Sequence, residues 1–257
     1  MVSLEEVTEQ PQVSHCSPAS PKKGQFLIEK QWDVNAGDLG TQRCAMTTAC
    51  CDNSLSKIQP GQKQVYVSHI ETPGKFWIQF AENEQYIVGI NEVLEIGIET
   101  NSKYLLDGPP VAGQLYSVKH PEFGNCSLIT YFLYRFSTLR YFLLGFWCRA
   151  KVLSKINENR AAAIFVEYGD CQIVPISNIR KVPRLLQNIP FMAIPCKLAA
   201  VQLDCWPQKS IDVMKNICNP ETLCKAVFRP QTANDVSMEI ETLFIGDINV
   251  LEFVFEL

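Results

Sequence analysis

The stretch Phe146–Ile179, FWCRAKVLSKINENRAAAIFVEYGDCQIVPISNI, decides the fold, because it reads as a complete small structure. An alternating run Trp147–Leu153 is followed by a polar turn at Asn157–Arg160 and a second apolar run Ala162–Val166. The corner Tyr168-Gly169-Asp170 and a third run, Gln172–Ile176, complete it. Side chains alternating inward and outward between turn residues specify a three-strand meander. Strands this short curl into a barrel or sandwich rather than standing alone. Aromatic residues flanking the corner then lie at one rim, where a cationic side chain can be held against ring faces.

Upstream, Gly113–His120 (GQLYSVKH) reads as the strand before the meander. Val65–Ile70, a turn at Thr72-Pro73-Gly74 and Lys75–Phe80 form a hairpin by spacing. His69 in that hairpin reads as structural, since catalysis needs a partner within hydrogen-bond reach. Ile87, Ile90, Leu94 and Ile98 recur on one helical face. Glu82 and Glu84 near the start suit the positive end of the helix dipole, while Gly89 and Gly97 weaken the helix. Asp107-Gly108-Pro109-Pro110 closes that segment.

Downstream, Pro190 and Pro195 forbid a continuous helix. Lys197–Leu203 (KLAAVQL) reads as a strand, and Ser210–Cys218 as a helix with Ser210 as N-cap. Runs near Lys225–Phe228, Ser237–Phe244 and Leu251–Phe255 read as further strands. Residues 1–60 carry no sustained apolar period and read as a disordered leader.

One segment breaks the pattern. Residues 124–145, GNCSLITYFLYRFSTLRYFLLG, are an aromatic and aliphatic run interrupted by Arg135 and Arg140. Three readings compete. A membrane span over 128–146 is disfavoured: each central arginine costs about 2.5–3.5 kcal/mol on insertion scales, and a span inside a small barrel would tear its sheet. A buried insertion or partner surface is the second. A retained intron is the third and favoured reading, since removing the run but for one of its two terminal glycines leaves VKHPEFGFWCRAKV with a tight turn. A spliced transcript that keeps these codons would overturn it.

The motifs together resemble a family. W-x-R-A-x-V at Trp147–Val152, F-V-E-Y-G-D at Phe165–Asp170 and the following Val174-Pro175 are similar to the core of a Tudor domain. Pro183–Val201 (PRLLQNIPFMAIPCKLAAV) resembles the segment that follows that core in the extended Tudor domains of Piwi-pathway proteins. Ser68–Phe80 and the terminal FIGDINVLEF are similar to the start and end of the surrounding barrel. The resemblance covers roughly residues 62–257.

It implies a mainly β fold with short helices: a Tudor β-barrel inserted in a split OB-like, staphylococcal-nuclease-like β-barrel and joined to it by a linker helix. Residues 61–107 would be the first part of the nuclease-like barrel and the linker helix. Residues 108–184 would be the Tudor core, interrupted by 124–145, and 185–257 the rest of the outer barrel.

In such domains aromatic side chains and an asparagine hold methylated arginine. Matched position by position, the resemblance places the aromatics at His120, Cys148, Phe165 and Tyr168, and the asparagine at Asp170. Only two of those four are clear aromatics, so dimethylarginine affinity is expected to be weak. Asp170 can accept a charge-assisted fork from an unmodified guanidinium, and methylation removes donors from that fork. Arg149 and Glu167 read as a structural pair. The bland alternative is that Phe165, Tyr168 and Trp147 are barrel core and bind nothing.

Composition narrows the function classes. A net charge of −4 argues against a phosphate-dominated interface and fits a partner that brings positive charge. Eleven cysteines without regular spacing, and no N-terminal signal peptide, point to reduced thiols in cytosol and to no metal site. Glu71, Glu82, Asp204 and Asp247 are scattered, with Arg229 the only arginine in the C-terminal portion of the outer barrel. Metal-assisted phosphodiester hydrolysis needs clustered carboxylates and a cationic clamp, so no catalytic residue is assigned.

The expected function is therefore a non-enzymatic, cofactor-free adaptor. By resemblance it would bind Arg-Gly tails of Piwi-class proteins in perinuclear germline granules of the cytoplasm, with RNA contacted only indirectly and no membrane. The alternatives are single-stranded RNA binding on the OB-like barrel, with Phe76 and Trp77 stacking bases, or a scaffold with no working arginine pocket.

Overall fold

Strand β1 (Gly61–Thr72) turns at Pro73-Gly74 into β2 (Lys75–Phe80), the hairpin that the spacing predicts. This computed structural model describes residues 60–120, 146–199, 205–230 and 235–255, all within the compact unit Cys44–Leu257. The leader and the competing readings of 124–145 lie outside the described residues.

The hairpin belongs to a closed ring. Strand β1 also pairs with β9 (Leu223–Phe228), β2 with β8 (Ile194–Leu198), β8 runs parallel to β10 (Met238–Ile245), and β10 pairs back with β9. A short β11 (Ile248–Asn249) extends β10. Two strands of this outer barrel thus precede a central domain and three follow it. Its interior holds Val65, Val67, Phe76, Ile78, Phe228 and Ile240. Strand β2 is buried on both faces: Phe76, Ile78 and Phe80 point into this core, while Trp77 and Gln79 touch the central domain.

The central domain is the meander: β3 (Leu115–Lys119), β4 (Trp147–Asn157), β5 (Arg160–Phe165), β6 (Cys171–Pro175) and β7 (Ile179–Lys181), in the order β6-β5-β4-β3-β7. Helix α1 (Glu84–Glu95) joins the two barrels. Its face Ile87, Ile90 and Leu94 is buried in the central domain's core together with Ile98, as the helical spacing predicts. It stops where Gly97 takes φ +88°, a left-handed conformation that glycine adopts without Cβ strain. The Glu95 carboxylate then accepts from the Trp147 backbone N–H at 2.7 Å, fixing helix against strand. Burial raises the Glu95 pKa, and that hydrogen bond pulls it back.

Three sequence expectations need correction. The strand expected over KLAAVQL begins earlier: β8 spans Ile194–Leu198 with Ile194, Cys196 and Leu198 inward, while residues 200–203 of the expected run lie outside the described residues. The helix expected to be capped by Ser210 is α3 (Gln208–Ile217) and begins after Pro207; Ser210 lies on its buried face with Ile211 and Met214. A proline fits there because its fixed φ suits a helix start and its missing N–H removes no helical bond.

The last run, expected as a strand, is helix α4 (Val250–Phe255). Its buried residues Val250, Leu251 and Val254 follow helical spacing, whereas the period-two face Phe253 and Phe255 is exposed. Asn249 Oδ1 accepts from Leu251 N–H at 3.2 Å and starts the helix as a side-chain cap. A four-residue helix α2 (Arg184–Gln187) follows the central barrel. Among the described residues no helix is long and apolar enough to cross a membrane.

Candidate functional site

The site is built on the corner between β5 and β6. Tyr168 and Gly169 N–H groups both donate to the Phe165 carbonyl, at 3.1 and 2.7 Å, and Phe165 N–H donates to the Asp170 carbonyl at 2.9 Å. So tight a turn needs φ +89° at Gly169. A Cβ there would stand 2.2 Å from the Trp77 ring, so only glycine admits the close approach of the two barrels.

The outer barrel holds the corner by further bonds. Ser68 Oγ donates to the Tyr168 carbonyl at 2.7 Å, and Gln79 Nε2 donates to the Glu167 carbonyl. The Tyr168 hydroxyl accepts from Asn91 Nδ2 of α1 at 2.9 Å.

Beneath the corner lies a buried ion pair. Arg149 of β4 donates from Nε and Nη2 to Glu167 Oε1 at 2.9 and 2.6 Å. The rest of its fork donates to the carbonyls of Leu186, Ile189 and Pro190. Arginine's planar donors thus tie the core to the returning chain in a way lysine's point charge would not. Burial pushes the Glu167 pKa up, opposed by Arg149. The sequence reading of these two as a structural pair fits this geometry.

Around Asp170 the rings converge. His120, at the end of β3, donates from Nε2 to Asp170 Oδ2 at 3.0 Å; a carboxylate only accepts, so this nitrogen carries the proton. Gln172 Nε2 reaches the same oxygen at 3.4 Å. The other oxygen, Oδ1, is buried and has no hydrogen-bond partner among the described residues. Buried carboxylate oxygens are rarely left so.

The His120 ring lies 4.4 Å from the Phe165 ring. It is also stacked on Phe146, at 5.5 Å and 9° between planes. Phe146 meets Tyr168 edge-on at 6.2 Å. Asp170 also acts across the barrel junction: burial lowers the pKa of His69, and the Asp170 charge pulls it back.

The structure therefore brings His120, Phe165, Tyr168 and Asp170 together. Cys148 is fully buried in the barrel core, paired with Val118 across β3 and β4, and offers a thiol where the resemblance expects a ring. The expected open rim is not what forms. Phe165 is 0% exposed, Tyr168 1%, His120 4% and Asp170 8%, so the cluster is closed, with His120 filling the space between the rings. An open cleft borders it instead, between the barrels, lined by Trp77, Lys151, Phe165, Gly169, Phe191 and Pro195.

Sequence reasoning missed Phe146. Its signal was available: it stands two residues before Cys148, and residues two apart on an extended chain share a face, so one ring can replace the other. Among the described residues no group of three or more His, Cys, Asp or Glu gathers as metal ligands.

Comparison with known proteins agrees with this geometry. Residues 139–200 match the family model of the Tudor domain. The chain is 25% identical to Tudor domain-containing 6 of Danio rerio over 147 residues, 56% of this chain and 6% of that protein. It is 24% identical to Tudor domain-containing protein 1 of Oryzias latipes over 195 residues, 74% of this chain and 15% of that protein. The chain thus spans a small fraction of these relatives.

Among solved structures, the human TDRD1 extended Tudor domain, in complex with a symmetrically dimethylated peptide, superposes with TM-score 0.64 at 18% identity. The superposition covers 83% of this chain and 96% of that one. The Drosophila melanogaster Papi extended Tudor domain, as a variant in complex with a dimethylated Piwi N-terminal peptide, gives 0.56 at 20% identity over 73% and 92%. The same Papi variant has been solved with the unmethylated peptide. At these identities the likeness establishes the fold, which is that of an extended Tudor domain.

Proposed function

We propose that this chain, which carries an extended Tudor domain, is a non-enzymatic adaptor that takes an arginine side chain from an Arg-Gly type peptide at Asp170. The supporting observation is the Asp170 carboxylate set among the rings of Phe146, Phe165, Tyr168 and His120, with Oδ1 buried and unpaired. Rings hold a flat cation by its face, and a carboxylate accepts its N–H groups. The fold is that of domains solved with arginine peptides.

Two finer points belong to the same reading. The partner class is the arginine-rich tails of Piwi-class proteins, in perinuclear germline granules of the cytoplasm. The preference is for unmodified arginine over dimethylarginine, because Asp170 counts N–H donors and methylation removes them.

Matched unmethylated and dimethylated Arg-Gly peptides, titrated calorimetrically against the protein and against Asp170→Asn, test this. The unaltered protein should bind the unmethylated peptide more tightly. Asp170→Asn should lose about 1.5–3 kcal/mol toward that peptide, the range for a hydrogen bond to a charged group, and shift toward the dimethylated one. A clear dimethyl preference in the unaltered protein would sink the selectivity, and no binding of either peptide would sink the adaptor role.

A further inference from the structure

The geometry points to His120 as an internal occupant of the arginine site rather than one of its walls; this rests on the reading of Asp170 given above. A guanidinium in such a site makes two kinds of contact: its flat face against aromatic rings, and its N–H groups to a carboxylate. The His120 imidazole already makes both. It contacts both Phe146 and Phe165, parallel to the first, and donates from Nε2 to Asp170 Oδ2. A wall would leave a space in front of it; here the ring itself fills the space and is 4% exposed.

The backbone shows how the plug is held. His120 N–H donates to the Phe146 carbonyl at 2.9 Å, extending the β3–β4 ladder by one residue, so the side chain is aimed inward by the strand and not by its neighbours alone. Opening takes a rotation of the side chain about that fixed backbone. The unpaired Asp170 Oδ1 is the group that gains from the exchange: an imidazole presents one N–H toward the carboxylate, whereas a guanidinium presents a fork that reaches both oxygens. Arginine binding then displaces His120, and the observed closed state is the resting, self-occupied form. The affinity measured for any arginine peptide is lowered by the fraction of time the plug is in place.

The full chain carrying His120→Gly tests this with small probes before any peptide. Imidazole and methylguanidine should each raise its melting temperature in a dose-dependent way, and by more than they raise that of the unaltered protein. His120→Phe, which keeps a ring there but has no donor, should not respond. An unmethylated Arg-Gly peptide should bind His120→Gly about tenfold more tightly than the unaltered protein, equivalent to about 1.4 kcal/mol, and imidazole should compete with it.

If His120→Gly responds to neither small molecule, or binds peptide more weakly than the unaltered protein, His120 is a wall and the inference falls. If it takes up imidazole and methylguanidine but no peptide binds to any form, the self-occupied pocket stands and the peptide reading falls. Should His120→Gly not fold, the unaltered protein still decides. Methylguanidine should raise the rate at which diethyl pyrocarbonate modifies His120 several-fold, and an unchanged rate overturns the proposal.

Discussion

Gly169 carries two constraints in one residue, a left-handed backbone and the face of Trp77 where a side chain would begin. Gly169→Ala should therefore cost about 3 kcal/mol or more, from backbone strain and overpacking together, read as a fall in urea midpoint with unchanged slope. A cost below about 1 kcal/mol, the range for volume changes that a site absorbs, would mean that the two barrels do not hold each other as described. Arg149 answers to a different rule. Arg149→Met leaves the Glu167 carboxyl buried without its partner, at a cost of about 3–5 kcal/mol, whereas Arg149→Met with Glu167→Gln should recover much of the loss. A double-mutant cycle by denaturation measures the difference. His69 supplies a pH test. Its folded pKa lies below the ordinary 6.5 because of burial, so the unfolded chain takes up the proton first and stability falls as pH is lowered through that value. His69→Gln should flatten the dependence in that window; an unchanged slope would place its origin elsewhere. Glycine at the corner and the partners Arg149 and Glu167 were legible from residue type and motif. The roles of His120 and Phe146 were not, because ring stacking depends on rotamers that no spacing encodes.

At the scale of elements, period explains both the successes and the misses. Strands β4, β5 and β6 are marked by their turns, which carry Asn, Gly and Asp, rather than by burial on one face alone: Trp147–Ala150 of β4 and Ala161–Phe165 of β5 are buried on both faces. Strand β2 reads as a strand although both faces are buried, because the hairpin turn marks its ends. The terminal LEFVF run fails for the opposite reason. Its four apolar residues around Glu252 satisfy both periods, and the cap from Asn249 selects the helix. Asn249→Ala should loosen α4 by about 0.5–2 kcal/mol, the usual cost of losing an N-cap, seen as faster amide exchange at Leu251 and Val254. Exchange rates identical to those of the unaltered protein would mean that burial of Val250, Leu251 and Val254 alone holds the helix. The displacement of β8 toward Ile194 has a similar origin. Pro195 looks like a strand breaker, yet a proline is tolerated where its missing N–H removes no ladder bond, and β8 makes only short pairings to β2 and β10.

For the whole molecule, the bonds between the barrels matter more than either barrel's size. Ser68, Gln79 and Trp77 of the outer barrel meet the corner of the inner one, and Arg149 reaches out to Leu186, Ile189 and Pro190. The two should unfold together, so near-ultraviolet and far-ultraviolet signals should give one coincident transition. Two separated transitions would show the barrels to be independent. The inner barrel expressed alone as 108–184 lacks the carbonyls that receive Arg149 and the ring that covers Gly169, and should be recovered unfolded or aggregated.

The division of the outer barrel into β1 and β2 before the inner domain and β8 to β10 after it has a consequence for biosynthesis. On the ribosome the hairpin Gly61–Phe80 emerges with its apolar face complete, but the strands that shelter it are not translated until the inner domain has been made. At synthesis rates of about 5–20 residues per second that interval lasts many seconds. Throughout it the nascent hairpin exposes Phe76, Ile78 and an unpaired strand edge, which makes this chain a natural client for co-translational chaperones.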